Sequence, residues 1–262
     1  MTKIADMGGC ALKANHPIKK LELSCNSKTK FSKYGKNTFG LMFGLPKNGG
    51  TCPGATCGKG GCLDTRDGLK RQTCYMVKVV QIYKGVGEVL TRNTNLLKDK
   101  TVDEQTEIIR NTISQFVKKT PADQLYFRLN YSGDLFSEDT AKAWAVVMKE
   151  FPNVRFWTYT RSHDFIVPLL GINNLSLYLS CDPSNYEETL LLFNKYKDKY
   201  PNLGLAYMGN NPPSLEGSDR FIVCPETSGK LKNTIDKGAC ASCRICIDNY
   251  KLRIKNIAFV LH

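Results

Sequence analysis

With 262 residues, 42% of them hydrophobic, the chain is long enough to bury a real core as one large α/β domain or two small ones. Its longest apolar run, about eight residues from Phe165 to Ile172, excludes a membrane-spanning helix. MTKIADMGGC at the start lacks the apolar segment of a secretory signal, so the eleven cysteines point to a reducing, cytoplasmic setting in which thiols ligate or catalyse rather than pair.

The formal charge is +13, and residues 1–38 hold eight lysines against Asp6 and Glu22. A basic face of this kind suits nucleic acid, an acidic partner protein or a phosphorylated substrate; it equally suits a plain solvated surface. No helix-turn-helix, RNA-binding or Cys2His2 zinc-finger motif accompanies the charge.

In chain order, residues 1–37 read as a basic arm or edge strand. Residues 38–45 (TFGLMFGL) read as a buried strand that leads into a cysteine-rich loop at 51–75. The stretch after Cys74, YMVKVVQIYKG, fits helix or strand by periodicity, and its place after a loop favours helix. Lys84-Gly85-Val86-Gly87 lacks the ending of a nucleotide phosphate loop. Residues 103–118 form the clearest helix, with Ile108, Ile109, Ile113, Phe116 and Val117 at helical spacing and acids in the first turn. Strands are expected at 124–129, 154–159, 175–179, 203–208, 221–223 and 257–261, and helices at 138–150, 165–170 and 186–200. This alternation is the sign of βα units and a parallel sheet, and it fits a full or partial (β/α) barrel. The expected organisation is an arm (1–37), a barrel-like core (38–223) and a C-terminal cysteine segment (224–262) packed on that core.

Cys52, Cys57, Cys62 and Cys74 share the first loop with Gly54, Gly58, Gly60, Gly61 and Gly68. Thiolates are soft ligands that favour zinc, Cu(I) or iron–sulfur clusters. Glycines let a backbone wrap such a group and aim N–H groups at its sulfurs. The second set is Cys224 followed by Cys240, Cys243 and Cys246 in CASCRIC. Its CxxCxxC spacing is that of ferredoxin-type ligation of a [4Fe–4S] cluster. Zinc also uses CxxC pairs, usually as two knuckles, and stays open at both sets. The expectation is two [4Fe–4S] clusters on eight thiols, with Cys10, Cys25 and Cys181 spare.

A strand feeding a cysteine loop and then a helix resembles the radical S-adenosylmethionine (SAM) enzymes. Those enzymes space their ligands CxxxCxxC, whereas the order here is Cys52-x4-Cys57-x4-Cys62-x11-Cys74. From about Phe39 to Cys246 the chain is more similar to a small phage and plasmid family, named after a mycobacteriophage gene product and of unassigned activity. TCPGATC at 51–57, Cys74-Tyr75, Ser132-Gly133-Asp134, Tyr159-Thr160 and the closing CxxCxxC carry that resemblance, and the family itself looks like a distant radical-SAM relative. The resemblance implies a phage- or plasmid-encoded protein in a bacterial host. It implies Cys52, Cys57 and Cys74 as ligands of the first cluster, with Cys62 a fourth ligand or a spare thiol. Three ligands would leave an iron open to SAM, whose reductive cleavage gives a 5′-deoxyadenosyl radical. The second cluster would then be auxiliary, and a ferredoxin or flavodoxin would donate electrons. Four ligands would close the site, leaving an electron-transfer, redox-sensing or nucleic-acid-associated protein.

The same resemblance offers roles at the strand ends. Gly133 and Asp134 would meet the methionine amine, Arg161 the SAM carboxylate, and Ser180 and Asp182 the ribose hydroxyls. Tyr159 would stand near the radical site, and His163 is a candidate base. Each has a plain alternative: a βα turn capped by Asp134, an exposed loop at 161–163, and Asp182-Pro183 opening a helix. Arg128 would need a buried anion if it faced inward, and an exposed arginine is the ordinary outcome.

Overall fold

The computed structural model describes residues 18–56, 61–63, 74–248 and 255–260. Its centre is a sheet of seven strands: β1 (Thr38–Gly40), β2 (Tyr126–Ser132), β3 (Arg155–Thr160), β4 (Leu175–Cys181), β5 (Leu203–Met208), β6 (Ile222–Val223) and β7 (Ile257–Phe259). The order across the sheet is β1-β2-β3-β4-β5-β7-β6, and every pairing is parallel. The first five strands lie side by side in chain order, each joined to the next by a crossover connection as parallel pairing requires. The chain then leaves β6, packs its cysteine segment against the sheet, and returns to insert β7 between β5 and β6. The α/β class and the parallel order agree with the sequence reading. Among the described residues no pairing joins the end strands β1 and β6, so the sheet is an open run there rather than a ring.

One face is covered by the helices α2 (Lys84–Leu97), α3 (Val102–Lys119), α4 (Glu138–Glu150) and α5 (Tyr186–Tyr196), and the short α1 (Met76–Ile82) packs against α2. Thr101 caps α3 in a reciprocal capping box with Glu104, and acids at the start and lysines at the end suit the helix dipole. Ser137 caps α4 through the Thr140 N–H. Phe39, Phe127 and Phe156, from three adjacent strands, meet Trp144 of α4 at ring separations of 5.5, 6.1 and 6.4 Å. All four are buried at the centre of the main core. Strand alternation sends Arg128, Trp157, Tyr159 and Tyr178 to the opposite face. The short helix α6 (Ala239–Cys243) lies in the segment that covers that side. Among the described residues no helix is long and apolar enough to cross a membrane.

Several boundaries differ from the sequence reading. β1 keeps only three residues: the Leu41 N–H still reaches the Ser132 carbonyl at the end of β2, but the Met42 N–H turns to Thr94 Oγ1. Residues 18–24 make a single antiparallel bridge, Ser24 to Thr38, so this part is an arm. The 165–170 region is two 3-10 turns, His163–Phe165 and Val167–Leu169, the second containing Pro168. α5 stops at Tyr196.

The α2 helix has no counterpart in the sequence reading. Its buried face is Leu90, Asn93, Thr94 and Leu97, a helical stripe that is half polar and does not read as apolar periodicity. The polar members bind backbone. Asn93 accepts from the Glu22 N–H (2.8 Å) and donates to the Glu22 and Gly40 carbonyls (3.0 and 3.1 Å), tying the arm to β1. Removing one partner of buried hydrogen bonds strands the others. Asn93→Ala is therefore expected to cost about 2–4 kcal/mol in urea unfolding with an unchanged m-value; a loss below about 0.5 kcal/mol would show that α2 is not what fastens the arm.

Candidate metal centres

The first cysteine loop is strapped across the C-terminal ends of β2, β3 and β4. Thr51 donates its hydroxyl to the Met42 carbonyl (2.7 Å) and accepts from the Asp134 N–H (3.2 Å). Gly133 holds φ +73°, and a Cβ there would collide with Thr51 Oγ1 and lie 2.7 Å from Leu41 Cβ. Gly54 likewise lies against the Arg161 carbonyl with no room for a side chain. The Arg161 guanidinium donates to Thr56 Oγ1 (2.8 Å) and pairs with Asp182 at 2.6 Å, with side-chain exposures of only 9% and 1%. Ser184 closes this network by bonding both Thr56 and Asp182.

This loop brings Cys52, Cys62 and Cys74 near enough to act on one another electrostatically. The Cys74 N–H donates to the Cys62 carbonyl at 3.1 Å, and the Cys52 N–H to the Gly44 carbonyl at 2.9 Å. Burial pushes the Cys52 and Cys74 thiols up; Asp134 and the neighbouring thiols add to the rise at Cys52, and Cys62 adds to that at Cys74. Cys57 lies outside the described residues.

The second set converges more completely. Cys224, at the end of β6, shares one cavity with Cys240, Cys243 and Cys246, walled by Trp157, Tyr159, Ile257 and Phe259 of the sheet. After α6, Arg244 adopts a left-handed φ of +58° and turns the chain so that Cys246 packs beside Tyr159 and Tyr178. The Arg244 side chain stacks over Tyr126 and Phe31 (4.9 and 5.4 Å), which themselves stack at 4.4 Å. The basic arm closes the assembly. Cys240 and Gly238 donate to the Lys28 and Lys30 carbonyls, and Lys28 pairs with Glu226 at 2.9 Å. Burial, the largest influence, pushes Cys240 up to about 11 and raises Cys243 and Cys246 as well. A raised thiol pKa means that a metal bound there would have to displace protons. Among the described residues no three Cys, His, Asp or Glu side chains are gathered closely enough to hold a single ion.

The remaining candidates take structural or unexpected places. The Asp134 carboxylate is buried and fully used: it accepts from Thr160 Oγ1 (2.6 Å) and from the N–H groups of Arg161 and Leu135 (both 2.7 Å). Burial still raises its pKa against those donors. Asp182 and Arg161 neutralise each other, and the Ser180 carbonyl accepts from Asn185. Tyr159 faces the second cysteine set, not the first. His163 sits half-buried in a 3-10 turn, its pKa lowered to about 4 by burial and by the charge of Arg161. Arg128 is the clearest departure from expectation. It points inward, its guanidinium 5.5 Å from the Tyr159 ring and its buried Nε without a hydrogen-bond partner. The signal was in the alternation of Tyr126 and Arg128 with Leu125, Phe127 and Leu129, since a parallel sheet buries both faces. Tyr178 and Arg244 had no comparable sequence signal.

Two outcomes follow from this geometry. Asp182→Asn keeps an acceptor for Ser184 but leaves Arg161 uncompensated, and is expected to cost about 3 kcal/mol or more, whereas adding Arg161→Met recovers part of the loss. A double variant no better than the single one would contradict a charge-based clamp. For His163 the folded pKa lies below the unfolded value, so the unfolded chain binds more protons between them. Stability is expected to fall as pH drops from 6.5 toward about 4, by up to about 1.4 kcal/mol per pH unit, and His163→Gln should flatten that slope in pH-dependent urea unfolding.

Residues 14–249 match the family described as Gene product 88. The chain is 34% identical over 235 residues to the Gene 88 protein of Mycobacterium phage D29, covering 84% of this chain and 89% of that one. It is 32% identical over 231 residues to the Gene 88 protein of Mycobacterium phage L5, covering 83% and 87%. No solved structure matches. The chain belongs to the Gene product 88 family.

Proposed function

We propose that the chain is an iron–sulfur protein in which each cysteine set holds a [4Fe–4S] cluster and the pair carries out one-electron chemistry. The observation that carries this reading is the convergence of Cys224 with Cys240, Cys243 and Cys246 on one largely apolar cavity. Thiols around a single zinc, each about 2.3 Å from it, lie roughly 3.8 Å apart. A four-iron cube holds its thiols farther apart, and the CxxCxxC spacing of Cys240, Cys243 and Cys246, with Cys224 on the same cavity wall, is what favours the cluster.

The first set suits a cluster at the edge where parallel sheets place chemistry, the C-terminal ends of the strands. Cys52, Cys62 and Cys74 would bind it, with Cys57 as a further thiol of the same loop. Thr51, Thr56, Arg161, Asp134 and Asp182 hold that loop against β2, β3 and β4. Two readings of this site differ by one ligand. The presence of Cys62 beside Cys52 and Cys74 favours a closed, four-thiol site that transfers electrons. Its place at the strand ends favours the second reading, a radical-SAM-like enzyme with three thiols and an open iron. When bound, a closed cluster supplies electron transfer alone, whereas an open one also supplies reductive cleavage of SAM.

Electron paramagnetic resonance (EPR) of the anaerobically purified, dithionite-reduced chain tests this. The closed reading predicts two cluster signals, neither changed by added SAM, and loss or conversion of one in Cys62→Ala. A SAM-perturbed signal that survives Cys62→Ala would establish the open site instead. Absence of any cluster signal together with stoichiometric zinc would remove both readings.

A further inference from the structure

We propose that Arg128, Tyr159 and Tyr178 form a donor face on the sheet that makes the C-terminal cysteine set an electron-accepting site rather than a purely structural one. The inference rests on the reading that this set holds an iron–sulfur cluster. The sheet register carries the geometry. Arg128 stands opposite Trp157, and Tyr159 opposite Tyr178, all on the face away from the main helices. Tyr159 lines the cysteine cavity, its ring 5.3 Å from that of Tyr178 and edge-on to Phe259 at 5.5 Å. Both tyrosines pack with Cys224 and Cys246. Arg128 lies over the Tyr159 ring at 5.5 Å.

These groups are costly where they stand. The Arg128 Nε and the Tyr178 hydroxyl are buried without well-formed hydrogen bonds. Among the described residues no carboxylate forms an ion pair with Arg128. A buried guanidinium N–H and a buried O–H without partners are unfavourable unless an acceptor meets them. Beside them lie Cys246, which packs with both tyrosines, and Cys240, which lines the same cavity as Tyr159. Each tyrosine carries a single hydroxyl, an O–H donor packed on the same small cluster of side chains as those sulfurs. A structural cluster needs only an apolar wall. A fixed cation and two O–H groups are what stabilise added negative charge.

Reduction adds one electron and no proton to the bound group, the electron coming from a low-potential one-electron carrier. The oxidised and reduced forms then differ by one negative charge, and the donor face favours the reduced form. Arg128, Tyr159 and Tyr178 are thus positioning residues that raise the reduction potential.

The test is an EPR-monitored redox titration of the full chain, with the C-terminal signal identified as the one that persists in Cys52→Ala. Tyr159→Phe, Tyr178→Phe and Arg128→Gln are expected to retain wild-type iron content and to shift the midpoint to more negative values. Arg128→Lys should stay closest to wild type, and Tyr186→Phe, in a separate aromatic group with Tyr207, should not move it. If Arg128→Gln fails to fold, the two tyrosine variants decide, since each removes a single oxygen. Full iron content with unshifted midpoints in the tyrosine variants would overturn the inference. A wild-type chain that holds no iron would overturn the two-cluster reading and this inference with it.

Discussion

A parallel sheet has to bury both faces, and here helices supply only one cover. The aromatic core of Phe39, Phe127, Trp144 and Phe156 fills the helix side. The other side is closed by the C-terminal cysteine segment, which leaves β6, packs over Tyr159 and Tyr178, and returns as β7. Much else depends on that second cover. Residues 28–30 of the basic arm are tied down because the Lys30 and Lys28 carbonyls accept from the Gly238 and Cys240 N–H groups. Arg244 lies over the stacked rings of Phe31 and Tyr126. A hydrophobic helix would cover the sheet more simply. Placing four thiols, an arginine and two tyrosines there exchanges simplicity for a polar interior that has to be compensated.

The two cysteine sets occupy different structural situations. The first is a loop pinned by polar contacts at the strand ends, where Asp134 and the Arg161–Asp182 pair act as clamps. The second is integral to the core. Burial raises the pKa of Cys52, Cys74, Cys240 and Cys246, so a metal bound there would have to expel protons and would stabilise the folded chain in return. The C-terminal segment, which buries few large apolar side chains of its own, stands to gain most from that linkage.

The parallel α/β class was readable because strands such as 203–208 and helices such as 138–150 follow simple periods, and both emerge with the expected bounds. The placement of β7 between β5 and β6 was not readable, since strand order depends on where a connection packs rather than on local pattern. α2 escaped because Asn93 and Thr94 bind backbone on its buried face. At the sites, the grouping of cysteines was visible from spacing alone. The partners of Asp134, Arg161 and Asp182 were not, because these residues neutralise or bond one another across three strand ends. Arg128 was the reverse case: its alternation placed it inward, and only the default for an isolated arginine argued otherwise.

The central claim is that two thiol sets on one parallel sheet hold two four-iron clusters. Quantifying iron, acid-labile sulfide and zinc in anaerobically purified protein tests it most directly. The account predicts about eight iron and about eight sulfide per chain, with negligible zinc. Zinc in place of iron, or no bound metal under conditions that load other iron–sulfur proteins, would contradict it.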